Sequence, residues 1–271
     1  MRSRAFIRLG QNMACSNGQE IQAVIFDLDG VVTCTMRAHF AAWREVFDSF
    51  LRTNTQSEQT FVPFSIHDYF THVDGVPRLE GIRRFLNSRD IVLPEGAPDD
   101  MDSKTMHGLA SIKNKRYLAW LEANEVPTYS DALNLIGSLK RRGIKIGIFS
   151  SSQNCKRALK SAGIVDLFDA KVDGIDAARL ALPPKPDPAV LLETVARLGT
   201  QPARAIVVED AVSGVEAAAR GGFRHVVGID REPPNDDSHA LALRAAGADL
   251  VTRDLADVLT LCPLVSYDVR Q

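Results

Sequence analysis

Four short runs of branched apolar residues break off abruptly into acids or hydroxyls. Ala23-Val24-Ile25-Phe26 meets Asp27, and Ile144 to Phe149 meets Ser150-Ser151-Ser152. Ala205-Ile206-Val207-Val208 meets Glu209-Asp210, and Val226-Val227-Gly228-Ile229 meets Asp230. Runs this short, without polar alternation, are the signature of strands buried on both faces. Helical patterns separate them. Ser130 to Arg142 carries Leu133, Ile136 and Leu139 on one face before Gly143, and Lys156 to Ala162 stops at Gly163. Asp187-Pro188 opens a helix bearing Val190, Leu191, Thr194 and Leu198 that Gly199 closes, and Val215 to Arg220 ends at Gly221-Gly222. This alternation predicts an α/β fold, a parallel sheet covered on both faces, in which ligands bind beyond the carboxyl ends of the strands. All four polar clusters fall at those ends and can therefore converge.

The alternation fails once. From about Met36 to Asn124 the sequence reads helical, with Phe40, Trp43, Phe47, Phe50 and Leu51 in one apolar stripe, and Arg78 to Leu86 and Ser103 to Leu121 as further helices. Thr53 to Thr60 reads as a loop within this insertion. The expected division is a poorly ordered tail over 1–21, a core formed by 22–35 and 126–271, and an all-helical domain over 36–125. The tail carries Arg2, Arg4 and Arg8 before the first acid, Glu20, which faintly resembles a transit peptide, but it lacks the apolar stretch of a secretory signal, and Met13 is an alternative start.

Lys and Arg total 32 against 34 for Asp and Glu, a net charge of -2, which offers no electrostatic ground for nucleic-acid or membrane-surface binding. No stretch approaches the roughly 18 continuous apolar residues of a spanning helix. The 4 cysteines form no CxxC pair, so neither a disulfide framework nor a zinc site is expected, and a reducing cytoplasm is the expected compartment. Nothing in the sequence specifies an oligomeric state.

Asp27-Leu28-Asp29-Gly30 places two carboxylates two residues apart at a strand end. One can attack phosphorus and form an aspartyl phosphate, and the other can move a proton on or off the leaving or arriving group. Alone, the pattern also fits an ordinary turn. Ser150 is placed to donate to a phosphoryl oxygen, although alone it reads as a helix cap. Lys185, in Lys185-Pro186-Asp187-Pro188, can neutralise charge shared by Asp27 and a bound phosphate. Glu209-Asp210 puts two acids where a hard divalent cation with oxygen ligands is the natural partner. Together these supply a nucleophile, a proton carrier, an oxygen anchor, a counter-charge and a Mg²⁺ cradle for metal-assisted phosphoryl transfer.

With DLDGVVT (27–33), Ser150, Lys185 in KPDP and EDAVSG (209–214) in that order, the chain resembles the haloacid-dehalogenase superfamily of phosphotransferases from about Gln22 onward. The resemblance implies a Rossmann-like core with a helical cap inserted after the first strand. It also implies phosphoryl transfer rather than dehalogenation, because dehalogenases lack the second acid of the first motif. Asp27, the Asp29 backbone carbonyl, Glu209 and Asp210 are the implied Mg²⁺ set.

Within the superfamily the chain is most similar to the β-phosphoglucomutase group. That likeness implies substrate contacts from Thr35, His39 and Trp43 at the hinge and first cap helix. It adds Arg78 in Gly75-Val76-Pro77-Arg78, Lys113 in Lys113-Asn114, and Ser151, Ser152 and Asn154. A sugar phosphate is the implied small-molecule partner, with β-glucose 1-phosphate converted to glucose 6-phosphate. Cys34 and Gln153 depart from the group's usual Asp and Lys, and the cap is longer around Thr53–Thr60 and Asp90–Ser103. A phosphatase of the same superfamily and a non-catalytic sugar-phosphate sensor are the alternatives. Cys15, Cys155, Cys262, Trp120, Tyr117 and His225 read as structural residues.

Overall fold

The computed structural model describes residues 20–54, 61–232 and 237–262. The expected tail over 1–21, Cys15 and most of the Thr53–Thr60 loop fall largely outside them. Thr53 and the following Asn54 close the first helix rather than open a loop.

Six parallel strands form one sheet: β1 Ala23–Asp27, β2 Lys145–Phe149, β3 Ala170–Val172, β4 Ala205–Glu209, β5 His225–Ile229 and β6 Leu250–Thr252, in the order β3-β2-β1-β4-β5-β6. β1 pairs with β2 from Ala23↔Lys145 to Asp27↔Phe149 and with β4 from Ala23↔Ala205 to Phe26↔Val208. This register aligns Asp27 with the start of the Ser150 loop on one side and with Glu209 on the other. Every residue of β1 is buried because both faces of the sheet are covered. Val24 and Phe26 enter an apolar layer that includes Leu135, Leu139, Ala158 and Val258. Ala23 and Ile25 enter a second layer, with Leu191, Val195, Val215 and Ala218. The period-two alternation of a strand thus places successive residues in opposite cores.

Ten α-helices are described, in chain order: α1 Met36–Asn54, α2 Ile66–Asp68, α3 Arg78–Ser88, α4 Met106–Ala123, α5 Ser130–Arg141, α6 Cys155–Ser161, α7 Gly174–Arg179, α8 Ala189–Arg197, α9 Val212–Arg220 and α10 Ser238–Ala245. A π-helical turn, Tyr69–Val73, follows α2. α1 to α4 are the helical cap, inserted between β1 and α5. They have their own core, in which Phe47, Phe64 and Phe85 pack with centroids 4.2 to 5.0 Å apart. Offset and tilted aromatic pairs of this kind add about 0.5–1.5 kcal/mol each beyond the area they bury.

Two local expectations shift. β3 is an additional three-residue strand, with no long apolar run to announce it. α8 begins at Ala189, with Asp187 Oδ1 accepting from Ala189 N at 2.9 Å just ahead of it. Trp120, on α4, packs against the core layer that contains Phe26 and Ile148. Among the described residues no helix is long and apolar enough to cross a membrane.

Candidate active site

A cavity of about 550 Å³ lies between the cap and the carboxyl ends of β1, β2 and β4. Asp27, Asp29, Ser150, Lys185 and Asp210 line it from the core; His39, Trp43, Arg78 and Lys113 line it from the cap.

Lys185 is the cation of the core side. Its side chain is 1% exposed, and its Nζ donates to Asp27 Oδ1 at 2.6 Å and to Glu209 Oε1. Burial alone would lower the lysine's pKa, but the two carboxylates outweigh it and hold the ammonium charged. Asp27 Oδ2 accepts the Asp29 backbone N–H at 3.0 Å. Burial pushes the Asp27 carboxyl well above the ordinary range; Lys185 pulls it down, and Glu209 and Asp29 push it up. Ser150 is buried beside them, with Oγ accepting from Ser152 N at 3.0 Å and its proton free for a ligand oxygen.

Glu209 and Asp210 diverge. Glu209 spends both oxygens inside the protein, Oε1 on Lys185 and Oε2 on the Ala211 N–H at 2.7 Å. Asp210 faces the cavity. Its carboxylate lies directly against Gly30, where a Cβ would sit 1.7 Å from Oδ2; Gly30 has φ +91° and no side chain to collide. Burial, then Asp74, Glu209 and Asp27, raise the Asp210 pKa well above the ordinary range.

A divalent cation fits this donor set. Asp27 is buried and Asp210 half-buried; burial and Glu209 raise both carboxyls, Asp27 further raises Asp210, and Lys185 opposes the rise in each. Among the described residues no three His, Cys, Asp or Glu side chains are gathered as a ready metal cluster. Two carboxylates and the Asp29 carbonyl do not require one. Glu209 supports the set by fixing Lys185.

The cap contributes a chain of contacts to Asp29. Thr35 Oγ1 donates to Asp29 Oδ1. His39 Nε2 lies 3.5 Å from the same oxygen, and Lys113 Nζ lies 2.9 Å from His39 Nδ1. When Lys113 is protonated its ammonium only donates, so Nδ1 accepts and Nε2 carries the proton toward Asp29. Burial raises the Asp29 pKa, but His39, Thr35 and Lys113 outweigh it and hold the carboxyl below its usual value. Lys113 is buried over the rings of Tyr117 (4.9 Å) and Trp43 (5.0 Å), and its pKa is lowered to about 7 by burial and then by Arg78. Tyr117 also packs its ring 4.1 Å from that of His39.

At the far end of the cavity, Arg78 donates to Asn114 Oδ1 at 2.8 Å and to the Ala110 carbonyl at 3.4 Å. Asn154 Nδ2 donates to the same Asn114 oxygen at 2.9 Å. Burial lowers the Arg78 pKa to about 10. Ser152 Oγ accepts from Asn154 N at 3.1 Å, while Ser151 Oγ donates to the Gly75 carbonyl at 2.8 Å, tying the cap loop to the core. Gln153 also lines the cavity, and half-buried Cys34 sits at the hinge, its N–H bound to the Pro127 carbonyl at 2.8 Å.

Sequence reasoning missed Asp74, Tyr69 and the bridging role of Asn114. Asp74, just before Gly75, is raised to about 6 by burial and then by Glu209, and the Tyr69 hydroxyl donates to it. The signal was an acid heading a Gly-containing loop, which also fits an ordinary turn.

The sheet, the inserted cap and four acids and a lysine at the strand ends define a phosphotransferase-type site of the haloacid-dehalogenase class. The haloacid dehalogenase-like hydrolase family profile matches residues 21–222, and the chain belongs to that family, whose members are enzymes. The β-phosphoglucomutase of Mycobacterium bovis is 36% identical over 244 residues, 89% of this chain and 92% of the relative. A phosphorylated carbohydrates phosphatase of Thermotoga maritima is 29% identical over 88% of this chain and 98% of its own. The crystal structure of a Clostridium difficile β-phosphoglucomutase shares the fold with a TM-score of 0.68, at 24% identity over 88% of this chain and 93% of that one.

Proposed function

We propose that the protein is a cytoplasmic, Mg²⁺-dependent phosphomutase that converts β-glucose 1-phosphate to glucose 6-phosphate through an aspartyl phosphate on Asp27. In this reading residues 22–35 and 126–271 form the catalytic core and residues 36–125 the cap domain. The observation that carries it is one cavity between cap and core with two phosphate-competent ends. Asp27, Ser150 and Lys185 stand at one, and the half-buried guanidinium of Arg78 with Ser152 and Asn154 at the other. A phosphatase needs only the first, whereas a mutase must hold a bisphosphate in both orientations. Arg suits the second end because its fork meets phosphate oxygens bidentately.

Asp27, Asp210 and the Asp29 carbonyl would hold Mg²⁺, which when bound offsets charge on the phosphoryl oxygens. Phosphorylated Asp27 gives its phosphoryl group to the sugar 6-hydroxyl, and Asp29 takes the hydroxyl proton. The resulting bisphosphate turns over in the cavity. The Asp27 carboxylate then attacks the 1-phosphate in line, the bond from phosphorus to the sugar oxygen breaks, and Asp29 returns the proton to that oxygen. Asp29, held charged by Thr35 and His39, suits the accepting step first. Ser150 and Lys185 bind the transferring oxygens, and the cap keeps water from the phosphorylated aspartate.

The second reading, a sugar-phosphate phosphatase, is favoured by the Thermotoga maritima relative and by Gln153 in place of the lysine usual near the distal phosphate. The test is β-glucose 1-phosphate with a trace of the 1,6-bisphosphate and Mg²⁺. Glucose 6-phosphate without free phosphate supports the mutase, and stoichiometric free phosphate supports the phosphatase. Tight binding without turnover of any phosphate ester would leave the sensor.

A further inference from the structure

We infer that His239 is a positioning residue for Asp210, and that it sets the affinity of the cation site from outside the motif residues. The inference rests on the cation reading of Asp210 given above. His239 is the second residue of α10 and lies beyond the stretch that matches the family profile.

Both ring nitrogens are engaged. Nε2 lies 2.8 Å from the Asp210 backbone carbonyl, and Nδ1 lies 3.0 Å from Asp230 Oδ1. A carbonyl oxygen only accepts, so Nε2 donates. Asp230, whose side chain is 1% exposed, is itself fixed: Oδ1 accepts from Glu232 N at 3.1 Å and Oδ2 from Arg253 Nε at 3.0 Å. The contacts therefore run sideways across consecutive strand ends. Arg253 follows β6, Asp230 follows β5, and Asp210 follows β4. The last member is the residue whose carboxylate must rest against Gly30, where there is no room for adjustment. Fixing the carbonyl fixes the backbone that aims that carboxylate. The other face of the imidazole meets the cap: the Phe70 ring lies 5.9 Å from it, in the same π-helical turn as Tyr69.

Partners that orient a metal ligand without touching the metal typically change affinity about 10–100-fold when removed. The test is calorimetric titration of the full chain with Mg²⁺, without substrate. His239→Ala is expected to weaken Mg²⁺ binding about tenfold. His239→Gln, which keeps an amide donor near the Nε2 position, is expected to recover most of that loss. His239→Asn, too short to reach the Asp210 carbonyl, is expected to behave like Ala. Turnover should follow, with the Mg²⁺ requirement rising and KM for sugar phosphate at saturating Mg²⁺ changing less than twofold. Folded Asn and Gln variants that both bind Mg²⁺ like the unaltered chain would overturn the inference. Phe70→Ala removes the ring but neither hydrogen bond and should stay within twofold; a loss equal to that of His239→Ala would assign the effect to packing and overturn it too. Asp210→Asn run alongside separates the two layers. If it also binds Mg²⁺ normally, the cation reading of Asp210 itself fails. If it loses binding while the His239 variants do not, only the His239 inference fails.

Discussion

Lys185 Nζ and Asp27 Oδ1 stand 2.6 Å apart with their side chains 1% and 9% exposed, and Glu209 completes the pair from the neighbouring strand. The nucleophile is thus held by a cation that the fold cannot relax around. Lys185→Met would leave Asp27 and Glu209 buried without a counter-charge. Breaking a buried pair in this way costs about 3–5 kcal/mol. Urea unfolding should show a loss of that size, largely recovered when Glu209→Gln is added, together with at least a hundredfold loss of turnover.

Gly30 should tolerate no side chain. A Cβ there would overlap Asp210 Oδ2, and its φ of +91° disfavours any L residue. Gly30→Ala is expected to weaken Mg²⁺ binding at least tenfold while costing about 1 kcal/mol or more of stability. Titration calorimetry and thermal unfolding on one preparation check both.

Arg78 distinguishes substrates. Arg78→Ala should reduce kcat/KM for β-glucose 1-phosphate by about a hundredfold, corresponding to roughly 2–3 kcal/mol of charge-assisted hydrogen bonding. The loss on a simple aryl phosphate, whose one phosphate meets Asp27 and leaves nothing at the distal end, should be smaller. Equal losses on both would remove Arg78 from the distal end.

Lys113 makes stability depend on pH in the alkaline range. Its pKa is lowered to about 7 by burial, then Arg78, against an ordinary value of 10.5, so the folded state resists protonating it. The penalty is absent above the unfolded pKa, grows as pH falls from about 10.5 to 7, and is complete below that. From this group alone, stability therefore rises with pH between about 7 and 10.5. Lys113→Met should flatten that rise, measured as the urea midpoint at pH 6.5 and 9.5. An unchanged slope would contradict the burial of a charged Lys113.

The core half of the site was legible because the backbone decides it. A strand that ends in acid can present that acid only at the sheet's carboxyl edge, so Asp27, Ser150 and Asp210 converge whatever the loops do. Glu209 and Asp210 read as one unit, yet consecutive residues leaving a strand point to opposite sides. One therefore became the partner of Lys185 and the other faced the cavity. β3 escaped notice because three residues carry no periodicity. Asp74, Asn114 and His239 escaped because each acquires its role from cap-to-core or strand-to-strand contacts made by residues far apart in the chain. Asn114 joins Arg78 to Asn154 across 36 and 40 positions, a relation no local pattern encodes.

The most direct measurement is the identity of the phosphorylated residue. Acid quenching during turnover with phosphorus-labelled sugar bisphosphate and Mg²⁺, followed by peptide mass spectrometry, is expected to place the label on Asp27 and to find none in Asp27→Asn. Label on another residue, or normal turnover by Asp27→Asn, would contradict transfer through this aspartate.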